Sequence, residues 1–348
     1  MDFNAEYLAN KIIKAKFCSE IFTQNIDSVN KDYKKFLKVI HPDLNGGDRK
    51  FVEATQKLTE LHDKAIKLLG RGEWDEGNVV YFPLVNGKKL KVKYLKEMPF
   101  ELGRSFVCQN YIIYFIDEKY SAYYRRYHPE TIVNAGRYDN RLQEILRSIK
   151  MAMPLTTNTY SCKNGFLVIQ QRSYGEIPLS LVLKHYNNHI PAEHVAWIMT
   201  RLLNIECYFM SVNYTYNAFD INNLYISPEN HLIILHGGFW YSTRFGDKLV
   251  GLSNFVYQNV AGDTKKNGIS EVVDDFWCIK AVGRNLIGAR SKLSKVDCPK
   301  PLLDYLFNKS FESKNQYQIM TEWEKIINDS FGKRKFVEMK INKNLLED

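Results

Sequence analysis

NKDYKKFLKVIHPDLNGGDRKF, residues 30–51, is the stretch that decides how the first part of this chain folds. Between Asn30 and Ile40 the apolar residues Tyr33, Phe36, Leu37 and Ile40 recur at helical spacing, while Lys31, Lys34, Lys35 and Lys38 fall on the opposite side. One face is set to pack and the other is strongly basic. Pro42 stops this helix directly after His41 and holds its neighbours in a turn. After Gly46-Gly47, Asp48 is placed to cap a second helix that presents Phe51, Ala54, Leu58, Leu61, Ala65 and Leu68 at three-and-four spacing. Two such stripes joined by a short loop predict an antiparallel helical hairpin, braced by an upstream helix from about Asn4 to Phe17.

The tripeptide His41-Pro42-Asp43 alone carries little, because a His-Pro turn is a common loop. Together with Tyr33, the lysine face, the glycine-rich continuation, Phe51 and the Leu/Ala stripe, it makes residues 1–70 resemble the DnaJ-like J-domain family. The resemblance implies a co-chaperone that docks on a DnaK-type chaperone ATPase and stimulates its ATP hydrolysis. It assigns the chaperone-binding role to His41, Pro42, Asp43, Lys31, Lys34, Lys35 and Lys38. Such a domain performs no covalent chemistry of its own.

Gly70-Arg71-Gly72 and Asp75-Glu76-Gly77 form a polar, glycine-rich break, so residues 71–78 are expected to be a linker. From Val79 to about Gln171 the pattern changes to short strands rich in Val, Ile, Tyr and Phe, interrupted by one amphipathic helix around Arg141 to Lys150. Helices dominate afterwards. The stretch from Pro191 to Ser211 is apolar on nearly every side, through Val195, Trp197, Ile198, Leu202, Leu203, Ile205, Tyr208 and Phe209, as a buried helix requires. The tail, 331–348, with Lys333-Arg334-Lys335, is expected to be basic and exposed.

Residues 79–330 resemble the protein-kinase fold. The resemblance rests on the buried helix, the loop to Asn223-Leu224-Tyr225-Ile226, the turn at Ser227-Pro228-Glu229-Asn230, the strand His231 to Leu235, and His236-Gly237-Gly238-Phe239. Asp275-Phe276-Trp277 is similar to the segment that anchors the kinase large lobe, and Gly165 to Gln171 to the strand entering the interlobe hinge. The fold class expected is therefore α+β: an all-α J domain over residues 1–70, then a two-lobed kinase-like fold. Its small lobe covers about 79–172 and its large lobe about 173–330.

The kinase resemblance also shows what is missing. Phosphoryl transfer needs an orienting carboxylate, metal ligands, a phosphate-contacting lysine and usually a glycine-rich cover. With Asn223 as the catalytic-loop asparagine, the metal-binding aspartate falls on His236, which is no hard oxygen ligand. Counting back five positions puts the catalytic aspartate on Ala218, and Asp220 replaces it only if the loop is compressed. The strand Tyr111 to Ile116 has no lysine, no GxGxxG surrounds Gly103, and Glu144 has no lysine partner. The expectation is a pseudokinase that binds a client or partner protein, with no cofactor or metal site. Asp220, Asn223 and His236 are the catalytic candidates of the alternative, an atypical kinase or nucleotidyl transferase that uses ATP and magnesium.

Composition bounds these readings. At 348 residues and 45% apolar the chain can bury a full core, and no apolar run approaches the ~18 residues of a membrane span. The six cysteines are scattered, with no CxxC pair or zinc-ligand spacing, and are expected to be reduced. A formal charge of +9 admits nucleic acid as a partner, but no RNA-binding or zinc motif accompanies it and the helix lysines account for part of it, so none is expected. The acidic start lacks a secretion signal, so a cytoplasmic location is expected. The taste for Asn, Lys, Ile and Tyr fits an AT-rich viral or bacterial genome, and a viral chain would act in the host cytoplasm.

Overall fold

The amphipathic stripes of the first 70 residues form α1 (Ala5–Lys14), α2 (Ile26–Ile40) and α3 (Arg49–Leu69). The structure, a computed structural model, describes residues 5–137, 139, 142–308, 315–333, 337–341 and 345–346, without the side chains of residues 143 and 144. Capping fixes where the helices begin: Asn25 accepts a hydrogen bond from Ser28 N–H, and Asp48 accepts one from Lys50 N–H at 2.9 Å. Between α2 and α3, Gly46 and Gly47 both take φ near +70°, a region in which a side chain is strained, and so turn the chain into α3. The core beneath is Leu8, Ile12, Val29, Ile40, Ala54, Leu58, Leu61 and Ala65, all buried. The first helix is shorter than the stripe suggested: Phe17 is extended and a 3₁₀ turn, Cys18–Glu20, follows it.

The chain divides into two compact units, Met1–Tyr94 and Leu95–Asp348. The expected linker 71–78 belongs to the first. Trp74 is buried in the helical core, Asp75 accepts from Cys18 N–H at 3.2 Å and pairs with Lys64 at 2.6 Å, and Ser19 N–H donates to the Asp75 carbonyl. The strands β1 (Val79–Pro83) and β2 (Lys89–Lys93), expected in the small kinase-like lobe, form an antiparallel hairpin in this first unit, with Tyr81 opposite Lys91. Tyr81 Oη accepts from Trp74 N–H at 3.0 Å, and Lys89 pairs with Glu73. Glycines and charges signalled a break, but one tryptophan with core to enter outweighs them.

In the second unit β3 (Lys96–Met98), β4 (Gly103–Val107), β5 (Tyr111–Asp117), β6 (Thr156–Cys162) and β7 (Gly165–Gln171) form an antiparallel sheet in the order β3-β4-β5-β7-β6. Central β5 and β7 are nearly continuously buried, as expected of strands covered on both faces. Between β5 and β6 lie α4 (Ser121–Tyr124), α5 (Pro129–Ala135) and α6 (Gln143–Ala152). The expected helix Arg141 to Lys150 thus starts later. Arg141 and the Glu144 side chain lie outside the described residues.

The larger lobe follows. Short β8 (Ile177–Pro178) leads into α7 (Leu179–His185) and the long α8 (Ala192–Ser211), whose buried residues run all round it. Then come β9 (Tyr214–Thr215), β10 (Leu224–Ser227), β11 (Leu232–Leu235) and β12 (Thr243–Arg244). Strand β10 lies between β11 and β8, and β12 pairs with β9. The helices α9 (Asn254–Asn259), α10 (Gly262–Asn267), α11 (Val272–Leu286), α12 (Lys300–Phe307) and α13 (Gln316–Phe331) complete it.

The carboxyl-terminal tail corrects an expectation. Rather than a solvated end, Met339 and Leu346 are buried in the core, and Tyr186 Oη donates to the Lys340 carbonyl at 3.1 Å. Arg334 and Lys335 lie outside the described residues. All six thiols are free, and no helix among the described residues is long and apolar enough to cross a membrane.

Candidate functional site

Two places carry the residues that the sequence singles out, one in each unit. In the first unit α2 ends at Ile40 and Pro42 opens a 3₁₀ turn, Pro42–Leu44, so that His41 lies at the corner. His41 Nδ1 accepts a hydrogen bond from Asp43 N–H at 3.2 Å, while Asn45 Nδ2 donates to the carbonyls of Val39 and His41. The turn is thereby held by its own backbone, and the Asp43 side chain, 87% exposed, projects from it. Lys31, Lys34, Lys35 and Lys38 are all exposed on α2, while Tyr33, Phe36 and Leu37 pack inward. Tyr33 Oη lies 3.2 Å from Thr59 Oγ1 and its ring 4.2 Å from that of His62, which fixes α2 against α3. The basic face and the tripeptide thus form one continuous, solvent-facing surface.

In the second unit Asp220, Asn223 and His236 are all buried. Asp275, buried near the start of α11, accepts hydrogen bonds from Tyr216 N–H and Asn217 N–H at 2.6 and 2.8 Å. This fixes the loop just before Ala218. Asn223 Nδ2 then donates to the Ala218 carbonyl at 3.1 Å, tying together the two ends of the five-residue count. Asp220 Oδ1 accepts from Asn222 N–H and Asn222 Nδ2, closing a local turn. Burial raises its pKa from the ordinary carboxylate value.

His236 is fully buried with both ring nitrogens engaged. Nε2–H donates to Glu176 Oε2 at 2.8 Å, and Nδ1 faces Gln170 Oε1 at 3.1 Å. Burial lowers its pKa against the opposing pull of Glu176, so the neutral ring is favoured. The ring is thus held in the interior between the Glu176 and Gln170 side chains. The network continues from Gln170 Nε2 to Tyr127 Oη, which lies 2.8 Å from Thr156 Oγ1. Arg172, also buried, donates to the carbonyls of Glu176, Cys108 and Gln109.

Aromatic side chains that the sequence reading did not single out fill the remainder. Tyr114, at the middle of β5 where the phosphate lysine would be sought, faces Phe100 at 5.1 Å and Trp240 at 5.0 Å between ring centroids. Phe100 comes from Pro99-Phe100-Glu101-Leu102, the β3–β4 connection, and its ring also meets Trp240 at 5.1 Å. Where a glycine-rich loop would cover phosphates, a phenylalanine therefore points inward, and Glu101 accepts from Asn254 N–H at the start of α9. Tyr225 packs edge-on against His236 at 4.7 Å, and Tyr127 stacks on Trp240 at 5.7 Å. The turn Gly237-Gly238 has φ of +83° and +74°, and a Cβ at Gly237 would lie 2.9 Å from Tyr114 Oη. The signal in the sequence was a tyrosine at the centre of a strand rich in isoleucine and aromatic residues.

The comparisons with known proteins agree with this architecture. The solved structure of vaccinia related kinase 3 is similar to this chain at 12% identity and a TM-score of 0.51, covering 72% of this chain and 90% of that one. The BubR1 kinase domain gives 13% identity, a TM-score of 0.48 and coverage of 72% and 83%. No family model matches the chain. No curated protein matches it either. The likeness to the first structure shows a kinase-like fold.

Proposed function

We propose that this chain is a J-domain co-chaperone whose kinase-like domain binds a client or partner protein and performs no phosphoryl transfer. The observation that carries the chaperone half is the exposed His41-Pro42-Asp43 turn at the end of a helix whose lysines all face solvent. A cationic face steers encounter with an acidic surface and speeds association, and its effect weakens with salt. A turn that binds one conformation of the ATPase better than another shifts that partner's equilibrium by the difference in affinity.

The second half is supported by what occupies the cleft. With Asn223 taken as the catalytic-loop asparagine, the orienting carboxylate falls on Ala218 and the metal ligand on His236, while β5 offers Tyr114 and no lysine, and Phe100 comes from the connection before β4. Losing these groups together removes the preorganised charges that stabilise a phosphoryl-transfer transition state. What remains is a rigid body with surfaces.

The test is single-turnover ATP hydrolysis by a purified DnaK-type chaperone with the full chain added. Stimulation is expected with wild type and loss of it with His41→Gln. Equal rates with wild type, His41→Gln and no added protein would refute the chaperone assignment.

A further inference from the structure

Residues 284–300, which join α11 to α12, carry Arg284, Arg290, Lys292, Lys295 and Lys300 against one acid, Asp297. The first part of this segment borders a hollow of about 470 Å³ lined by Asn188, Phe255, Asn259, Arg284, Asn285 and Arg290, with no acidic side chain among its described lining residues. Its floor is built rather than accidental. Arg284 Nη1 donates to the Leu306 carbonyl at 2.6 Å and Nη2 to Asn259 Oδ1 at 3.2 Å, while its guanidinium lies 5.4 Å from the Phe307 ring centroid. Two acceptors and a ring hold the group in place, and among the described residues no carboxylate pairs with it.

The loop beyond the hollow is ordered by its serines. Ser294 Oγ accepts from Arg290 N–H and Ser291 N–H, each at 3.0 Å, and Ser291 Oγ accepts from Leu293 N–H at 3.2 Å. This arrangement presents Arg290, Lys292 and Lys295 to solvent and leaves Leu293 91% exposed at the tip. An exposed leucine on a loop that also carries exposed Arg290, Lys292 and Lys295, next in sequence to a donor-lined hollow, suits a partner that brings carboxylates and an apolar contact together.

We infer that this hollow and loop form a docking surface for an acidic segment of a partner protein, with carboxylates seated on Arg284, Arg290 and the asparagine amides and an apolar side chain against Leu293. The inference rests on reading the kinase-like domain as a partner-binding one and names the chemistry of that partner. A nucleic acid fits less well: the loop itself, residues 284–300, contains no aromatic side chain, Phe255 is the one aromatic among the hollow's described lining residues, and the apolar tip has no counterpart in a phosphate backbone. Carboxylates held by guanidinium and amide donors form charge-assisted hydrogen bonds, about twice as strong as neutral ones.

The experiment is fluorescence anisotropy of the full chain with a labelled peptide of alternating glutamate and leucine, and in parallel with a labelled single-stranded oligonucleotide. Arg290→Glu, an exposed position whose variant is first checked for an unchanged melting curve, is expected to weaken peptide binding about tenfold or more. Leu293→Ser should weaken it as well, while His41→Gln should leave it unchanged, so the chaperone assignment and this one fail independently. Saturable peptide binding that ignores Arg290→Glu, or no peptide binding at all, would overturn the inference. Tighter binding of the oligonucleotide, lost in the same variant, would overturn the choice of partner.

Discussion

At Glu206 a carboxyl group is fully buried in α8 with Asp275 beside it. Burial, with Asp275 second, holds Glu206 well above the usual carboxylate range, and burial pushes Asp275 up to about 7 despite its two backbone donors. A raised acid binds its proton more tightly folded than unfolded, so its stabilising effect is complete below the ordinary carboxylate range. That effect is lost as pH rises through the raised folded value. The expected result is stability that falls from mildly acidic to alkaline pH, at a limiting ~1.4 kcal/mol per pH unit for each proton held. Glu206→Gln should flatten that slope and raise stability at alkaline pH, measured by urea unfolding across pH. An unchanged slope would mean the buried carboxyl does not titrate as argued. His236 acts in the opposite sense: its lowered pKa means that protonation at low pH opposes folding.

At the scale of elements, the segment after α3 shows how local signals and tertiary packing can disagree. Residues 71–78 carry glycines and charges that read as a linker, yet Trp74 enters the helical core and Asp75 binds Cys18 N–H and Lys64. Trp74→Ala should therefore cost about 3–5 kcal/mol, in the range of large-to-small core changes. The measurement is hydrogen exchange, with protection lost across α1–α3 while α8 and α11 keep theirs. Retained protection in α1–α3 would mean that Trp74 is dispensable to that core. The helices themselves were legible: α2 and α3 follow from stripes of period 3.6 and α3 from Asp48 as its cap, because amphipathic periodicity reports directly which face is buried, whereas the start of α2 at Ile26, capped by Asn25, precedes the stripe read from Asn30. Where β1 and β2 belong was not legible, since a hairpin's own pattern does not say which core it joins.

For the whole molecule, the kinase-like architecture was readable from the order of elements and the Asp275 segment. Which side chains pack between sheet and large lobe was not readable. Spacing along the chain says which residue stands at a position, but not that Tyr114, Phe100, Trp240, Tyr127 and Tyr225 converge from five separate segments. Nor does it show that Gln170 and Glu176 engage both nitrogens of His236. Likewise the basic run in residues 284–300 was visible as composition, while the hollow beside it depends on Asn188 and Asn259 from other parts of the chain.

The proposed loss of phosphoryl transfer rests on the aromatic packing of Tyr114, Phe100, Trp240 and Tyr127 between sheet and large lobe. Thermal melting of the full chain with and without magnesium and ATP tests it most directly. No shift in melting temperature at millimolar nucleotide is the predicted result. A saturable, magnesium-dependent rise that disappears in Asp220→Ala would contradict it and restore the atypical kinase.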